Sequence, residues 1–257
     1  MTETSTPAGQ DSGRESSWAK PVDRLKAAGV APEAMSLNVE GRRLTGPVKG
    51  FGQMWQKTYS VRLSGAKATP AEVIAAWKEN YPKFWPKGNR FYAPLAGIKP
   101  GEIAVINVSG PGNAAVLSTG VMVIYSDDES FSFMTPEGHP MAGMITFSAH
   151  EEESATVAQV QVLIRANDPL YELGFRLGPA HRMEDDMWRH TLEMLAAHFN
   201  VQGQVNQRTT LVDPRVQWAE ARNIWHNAGI RTGLHLMMTP VRWLRGLGRR
   251  KPSTPVA

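Results

Sequence analysis

Hydrophobic and polar positions change their period several times along this chain, and each change marks an element. Over residues 53–63 they alternate, with Trp55, Tyr59, Val61 and Leu63 set against Gln56, Thr58, Ser60 and Arg62. Period two predicts a strand, and Gly65 closes it. Thr69-Pro70 then offers an N-cap with proline at the first helical position. Glu72 adds first-turn negative charge, and Val73, Ile74, Trp77 and Tyr81 follow at helical spacing. Pro82 ends that helix, and Phe84, Trp85 and Pro86 make an aromatic, turn-rich patch.

Strands are expected at 91–95, 102–109, 116–125, 131–134, 144–149 and 156–165, with turn signals between them. Consecutive hairpins make an antiparallel sheet, and a sheet with one apolar face needs a lid. The expected lid is a long amphipathic helix over 169–199, with Asp168 placed to cap it. Its apolar stripe is Leu173, Leu177, Ala180, Met187, Trp188, Leu192, Leu195, Ala196 and Phe199. Gly178-Pro179 predicts a kink or break within it. The fold class is α+β.

The rest of the chain divides around that unit. Residues 1–17 are polar and rich in Ser, Thr and Gly, so a disordered tail is expected. Residues 18–45 are expected to be an irregular extension with a short helix near 22–28. The main domain is set at 46–200. A basic helical extension, 201–257, follows: a linker to about residue 210, helical pieces at 214–227 and 232–247, and a loose terminus from 249.

Composition narrows the chemistry. At 257 residues a sizeable core can be buried, and 42% hydrophobic with 20% charged residues is an ordinary soluble mix. The absence of cysteine excludes disulfides, thiolate zinc sites and a cysteine nucleophile. The net charge is +4, unevenly spread. From Arg208 onward there are nine basic residues and two acids, so this end carries +7 and the remainder −3. An anionic partner would meet the tail. The N-terminus lacks the apolar stretch of a leader, and no run reaches the roughly 18 apolar residues of a membrane span. A cytoplasmic location is expected, with the inner membrane face as the surface a basic tail would meet.

Strand, helical segment, antiparallel meander and final long helix is the order of the helix-grip fold. Residues 131–147, FSFMTPEGHPMAGMITF, and 162–188, with Arg165, Pro169 and the Gly178-Pro179 step, resemble an uncharacterised family of that type. That family is similar to the START, pollen-allergen and polyketide-cyclase superfamily, SRPBCC. One departure is Met141-Ala142-Gly143-Met144, which stands where the family tends to carry charge. The resemblance implies a curved sheet gripping the long helix around an apolar cavity. It implies non-enzymatic carriage of a hydrophobic or lipid-like small molecule, without a cofactor. The alternative is a cyclase- or hydrolase-like enzyme using the same cavity.

Candidate residues follow from that picture. Trp55, Tyr59, Tyr125, Phe133, Phe147 and Trp188 lie on expected strands or the gripping helix; most read as core, and those at a cavity would line it. Gln161 and Arg165 are the polar groups expected inside, since a buried arginine wants an anionic partner. His139, in Pro136-Glu137-Gly138-His139-Pro140, reads as a turn residue. Its alternative is a group at the cavity rim able to move a proton near neutral pH, and it is the one catalytic candidate. His181, Glu184, Asp185, Asp186, His190 and Glu193 cluster on one helix without a metalloprotease pattern. They read as a solvated face, and no metal is expected.

Two further motifs were weighed. Gly110-x-Gly112-x-x-Ala115 mimics a dinucleotide fingerprint, but the next strand starts too soon for a crossover helix, so a hairpin turn is read there. Leu234, Met237, Met238, Val241, Leu244 and Leu247 share one helical face with arginines around them. The residues 231–247 could meet an anionic membrane surface, pack back on the domain, or form an oligomer contact. Pro240 interrupts that pattern. No nucleic-acid motif is present, and no such partner is expected.

Overall fold

The computed structural model describes residues 16–109 and 115–247. The turn expected at 110–113, the terminus from 249 and all but the end of the expected disordered tail lie outside the described residues. Among the described residues, eight strands form one sheet: β1 Met54–Arg62, β2 Asn89–Tyr92, β3 Ile103–Ser109, β4 Ala115–Ser126, β5 Ser130–Met134, β6 Met141–Glu152, β7 Ala155–Ala166 and β8 Val205–Asp213. Their order is β2-β3-β4-β5-β6-β7-β1-β8, and every neighbouring pair is antiparallel. Among the same residues the α-helices are α1 Pro70–Asn80, α2 Pro169–Leu177, α3 Ala180–His198 and α4 Ala228–Leu247. A 3-10 segment, Trp218–His226, precedes α4. The architecture is the expected helix grip, a curved antiparallel sheet wrapped on α3.

Local chemistry starts α1 and α2 where the sequence places them. The Thr69 hydroxyl accepts from the Glu72 N–H, and the Glu72 carboxylate accepts from the Thr69 N–H at 2.8 Å, a reciprocal capping box ahead of Pro70. The Asp168 carboxylate accepts from the N–H groups of Leu170 and Tyr171, at 2.9 and 3.0 Å. The helix expected over 169–199 breaks at Gly178, whose backbone is extended, and resumes as α3. The break re-aims the axis. Trp188, Leu192, Leu195 and Ala196 of α3 are buried against the sheet, but Leu173 and Leu177 of α2 are 53% and 81% exposed. The apolar stripe read across both pieces therefore holds only for the second.

Two other expectations are corrected. No helix forms at 22–28; that stretch is bends and turns, with Leu25 inserted into a small core beside Val39, Ile103, Val105 and Met122. That core covers the outer face of β3 and β4, which is why 103–108 is apolar almost without interruption. Gly120 shows how closely the layers meet: an added Cβ would lie 2.3 Å from the Ala104 carbonyl oxygen and 2.8 Å from Val39 Cγ2. Nor is 200–210 a linker. Most of it belongs to β8, an edge strand whose backbone pairs with β1 from Trp55↔Leu211 to Val61↔Val205. Its side chains are largely polar and exposed, so main-chain pairing places it, not a buried face.

The C-terminal part is tied to the body by buried polar groups. Asn38 Nδ2 donates to the Ser118 carbonyl at 2.8 Å and to Thr232 Oγ1 at 3.0 Å, and Thr232 Oγ1 also accepts from the Ser118 N–H at 3.1 Å. Asn227 Nδ2 donates to the Asp168 carboxylate at 2.8 Å, joining the start of α4 to the cap of α2. The helix continues through Pro240 to Leu247. No helix among the described residues is long and apolar enough to cross a membrane.

Candidate functional site

The space between sheet and helices is filled mainly by aromatic rings. Tyr81 is the hub, with ring centroids 4.7 Å from Phe91, 5.3 Å from Phe147 and 5.6 Å from Phe133. Phe131 stacks on Phe147 at 4.7 Å, and Trp188 of α3 meets Phe147 at 5.7 Å. Edge-to-face packing dominates, as the ring quadrupoles favour. Rigid rings cannot tile a curved sheet completely. Between β3, β4, β5, β6 and α3 they leave a cavity of about 140 Å³. Its wall comes from inward positions of those strands, including Ile106, Val121, Phe133 and Ile145, and is completed by Trp85, Met187 and Trp188.

Besides Tyr81 and the two tryptophans, three polar residues reach this cavity: Asn89, Thr119 and His139. No Asp, Glu, Lys or Arg lines it among the described residues. Thr119 is 1% exposed and its hydroxyl has no hydrogen-bond partner among the described residues. His139 sits in the turn between β5 and β6. Gly138 bends the chain there at φ 87°, and its carbonyl accepts from the Ala228 N–H at 2.9 Å, so the turn is fastened under the start of α4. His139 Nδ1 lies 3.1 Å from the Met141 backbone nitrogen and 3.0 Å from the Met141 carbonyl oxygen. Burial drives the imidazole pKa down to about 4, against a smaller opposing effect from the Met141 backbone. The ring is neutral at pH 7.

The residues singled out from sequence divide into four places. Phe133, His139 and Trp188 meet at the cavity, and Phe147 is packed one layer behind them. Trp55 and Tyr59 lie elsewhere on the same sheet face, Trp55 with its ring 5.3 Å from His181. Tyr125 packs on Trp18 at 4.6 Å at the end of β4 and does not line the cavity. Gln161 and Arg165 are on the opposite sheet face. Gln161 joins Gln56, Thr58, Gln159 and Gln207 in a polar groove over β7, β1 and β8. Arg165 finds the expected anionic partner outside the cavity: its guanidinium donates to Asp213 at 2.6 Å and to the carbonyls of Gly52 and Arg215. Period two dictates this, since 161 and 165 alternate with the inward Val160, Val162 and Ile164.

One buried constellation was missed. Lys57 is 1% exposed on β1, in the same inward register as Trp55, Tyr59 and Val61. Its ammonium donates to Glu184 at 2.8 Å and to Asp185 at 2.7 Å, both on α3. Tyr59 adds a hydrogen bond to Asp185 at 2.6 Å. Burial raises the Glu184 pKa against the pull of Lys57. At Asp185 the hydrogen bonds from Lys57 and Tyr59 outweigh a large burial effect and lower it. The Trp188 indole N–H leans toward Glu184 without hydrogen-bond geometry. Glu184 and Asp185 thus belong to the sheet–helix seam, where a solvated face was expected. A lysine at an inward period-two position was the available signal, because a buried ammonium requires a carboxylate. Among the described residues no group of three or more His, Asp or Glu is arranged to hold a metal.

No protein-family model matches the sequence, and no curated protein matches it. Similar solved structures exist. A di-domain aromatase/cyclase, StfQ, from the steffimycin biosynthetic pathway is 11% identical over 57% of this chain and 50% of its own, with a TM-score of 0.44. A protein from Arthrobacter aurescens is 12% identical over 68% of this chain and 92% of its own, at 0.42. A START superfamily protein from Mycobacterium smegmatis is 18% identical over 58% of this chain and 98% of its own, at 0.39.

Proposed function

We propose that this protein binds a small hydrophobic molecule in the cavity between the sheet and α3, without transforming it. The observation that supports the reading is the wall itself. It is apolar, built largely of rigid rings and interrupted by few polar groups, the usual make-up of a small-molecule site. Acid–base catalysis needs ionisable groups converging on one another. Here His139 meets no Asp, Glu, Lys or Arg in the lining among the described residues, and the Lys57–Glu184–Asp185 cluster is not part of it. Native mass spectrometry of protein purified from its own host tests the reading. A reproducible small adduct is expected, lost in Val108→Phe, which places a ring in the cavity. Protein that always emerges free of adduct, or an adduct unchanged by Val108→Phe, contradicts it.

A second reading concerns α4, and a specific observation favours it. Leu234, Met237 and Met238 are 54%, 76% and 49% exposed, so this face does not pack back on the body. It lies in the part of the chain that carries +7. An apolar helical face amid arginines suits an anionic bilayer surface. Flotation with phosphatidylserine liposomes is expected to carry the protein, and Met237→Glu with Leu234→Glu to abolish it. Flotation that survives both changes counts against this reading.

A further inference from the structure

The cavity is specific about what it could hold, and the proposal below rests on the reading that it holds a small molecule. Its volume, about 140 Å³, is the first constraint. An engineered apolar cavity of roughly 150 Å³ takes benzene, whereas sites for drug-sized ligands run from roughly 300 Å³ upward. One ring fills the volume; an extended acyl chain could not lie wholly within it without displacing the Tyr81, Phe91 and Phe133 rings that pack on one another.

Charge is the second constraint. No charged side chain reaches the wall among the described residues, and His139 is neutral there. An isolated carboxylate or ammonium would therefore lose its hydration with nothing to replace it. Polarity is the third. The Thr119 hydroxyl is buried and unpartnered, on a strand whose inward neighbour Val121 is part of the same wall. A buried hydroxyl without a partner costs stability unless something completes it.

We infer that the cavity selects a compact, uncharged ligand of about one aromatic ring bearing a single hydrogen-bonding group, with Thr119 Oγ1 as its fixed polar contact. This is a narrower class than an apolar or lipid-like molecule, and it leaves long-chain lipids and small acids outside.

Four probes separate the terms: phenol, benzene, benzoate and dodecanoate, titrated into the full-length protein and followed by amide chemical shifts of β4, β5 and α3. Phenol is expected to bind about tenfold more tightly than benzene, the effect of one added hydrogen bond. Benzoate is expected to be at least about a hundredfold weaker than phenol. Thr119→Val should bring phenol down to the level of benzene while leaving benzene unchanged. It should not lower the melting temperature, because the hydroxyl removed has no partner to lose. Benzoate or dodecanoate binding in the cavity more tightly than phenol overturns the inference and leaves the binding function standing. Phenol affinity untouched by Thr119→Val overturns the assignment of Thr119. Failure of all four probes to shift these elements overturns both the inference and the function.

Discussion

Lys57 and His139 are both buried, and their contrast shows how a neighbourhood decides what a titratable side chain does. Lys57 sits between two carboxylates and a tyrosine on the far side of the sheet–helix seam. Removing one partner of such a group strands the other in a low-dielectric site. Lys57→Met should destabilise the fold by about 3–5 kcal/mol, and adding Glu184→Leu should restore most of that, as read by urea unfolding. Equal losses in the single and double variants would show that the ion pair holds no coupled energy. His139 has no charge partner, and burial holds its pKa near 4, below the ordinary 6.5. Between those values the unfolded chain binds the proton and the folded one does not. Stability therefore rises with pH through this window, and the contribution is lost as pH falls from 6.5 toward 4. The loss should approach about 3 kcal/mol. Unfolding at pH 7 and pH 4.5 checks it: His139→Asn should lack this component, and an identical slope in both proteins would contradict the assignment.

Elements were legible wherever local chemistry and burial agree, and illegible where they part. The cap at Thr69, the Asp168 cap and the break at Gly178 were readable because each depends on residues within four positions. The α2 stripe misled because periodicity says that a face exists, not what it meets. Leu177 and Leu192 lie on either side of the break with the same pattern and opposite burial. Leu177→Ser should change stability by less than about 0.5 kcal/mol, and Leu192→Ala should cost about 2–5 kcal/mol, both from chemical denaturation. Comparable losses would mean that the two helices act as one. β8 escaped notice for a related reason. Residues such as Asn206, Gln207 and Arg208 pair their backbones with β1 and leave their side chains largely to solvent, so no hydrophobic period marks them. The same alternation that made β7 readable puts Gln161 and Arg165 outside the grip, because a residue's parity fixes its face.

At the scale of the whole molecule, one sheet has two covered faces with different work. The outer face of β3 and β4 carries the N-terminal extension and α4, through Val39, Asn38 and Thr232. The inner face carries the rings and α3. That the chain would grip a helix was visible in its order of elements. How much hollow remains was not, because it depends on how Tyr81, Phe91, Phe133 and Trp188 pack against one another across 107 residues of sequence, a long-range property with no local signature. An apolar cavity of this size should stay open to a non-polar atom. A crystal structure of the protein under xenon pressure examines that directly. Xenon is expected between Thr119, Phe133, Ile145 and Trp188; rearranged rings with no xenon among them would mean that no hollow exists there to hold a ligand.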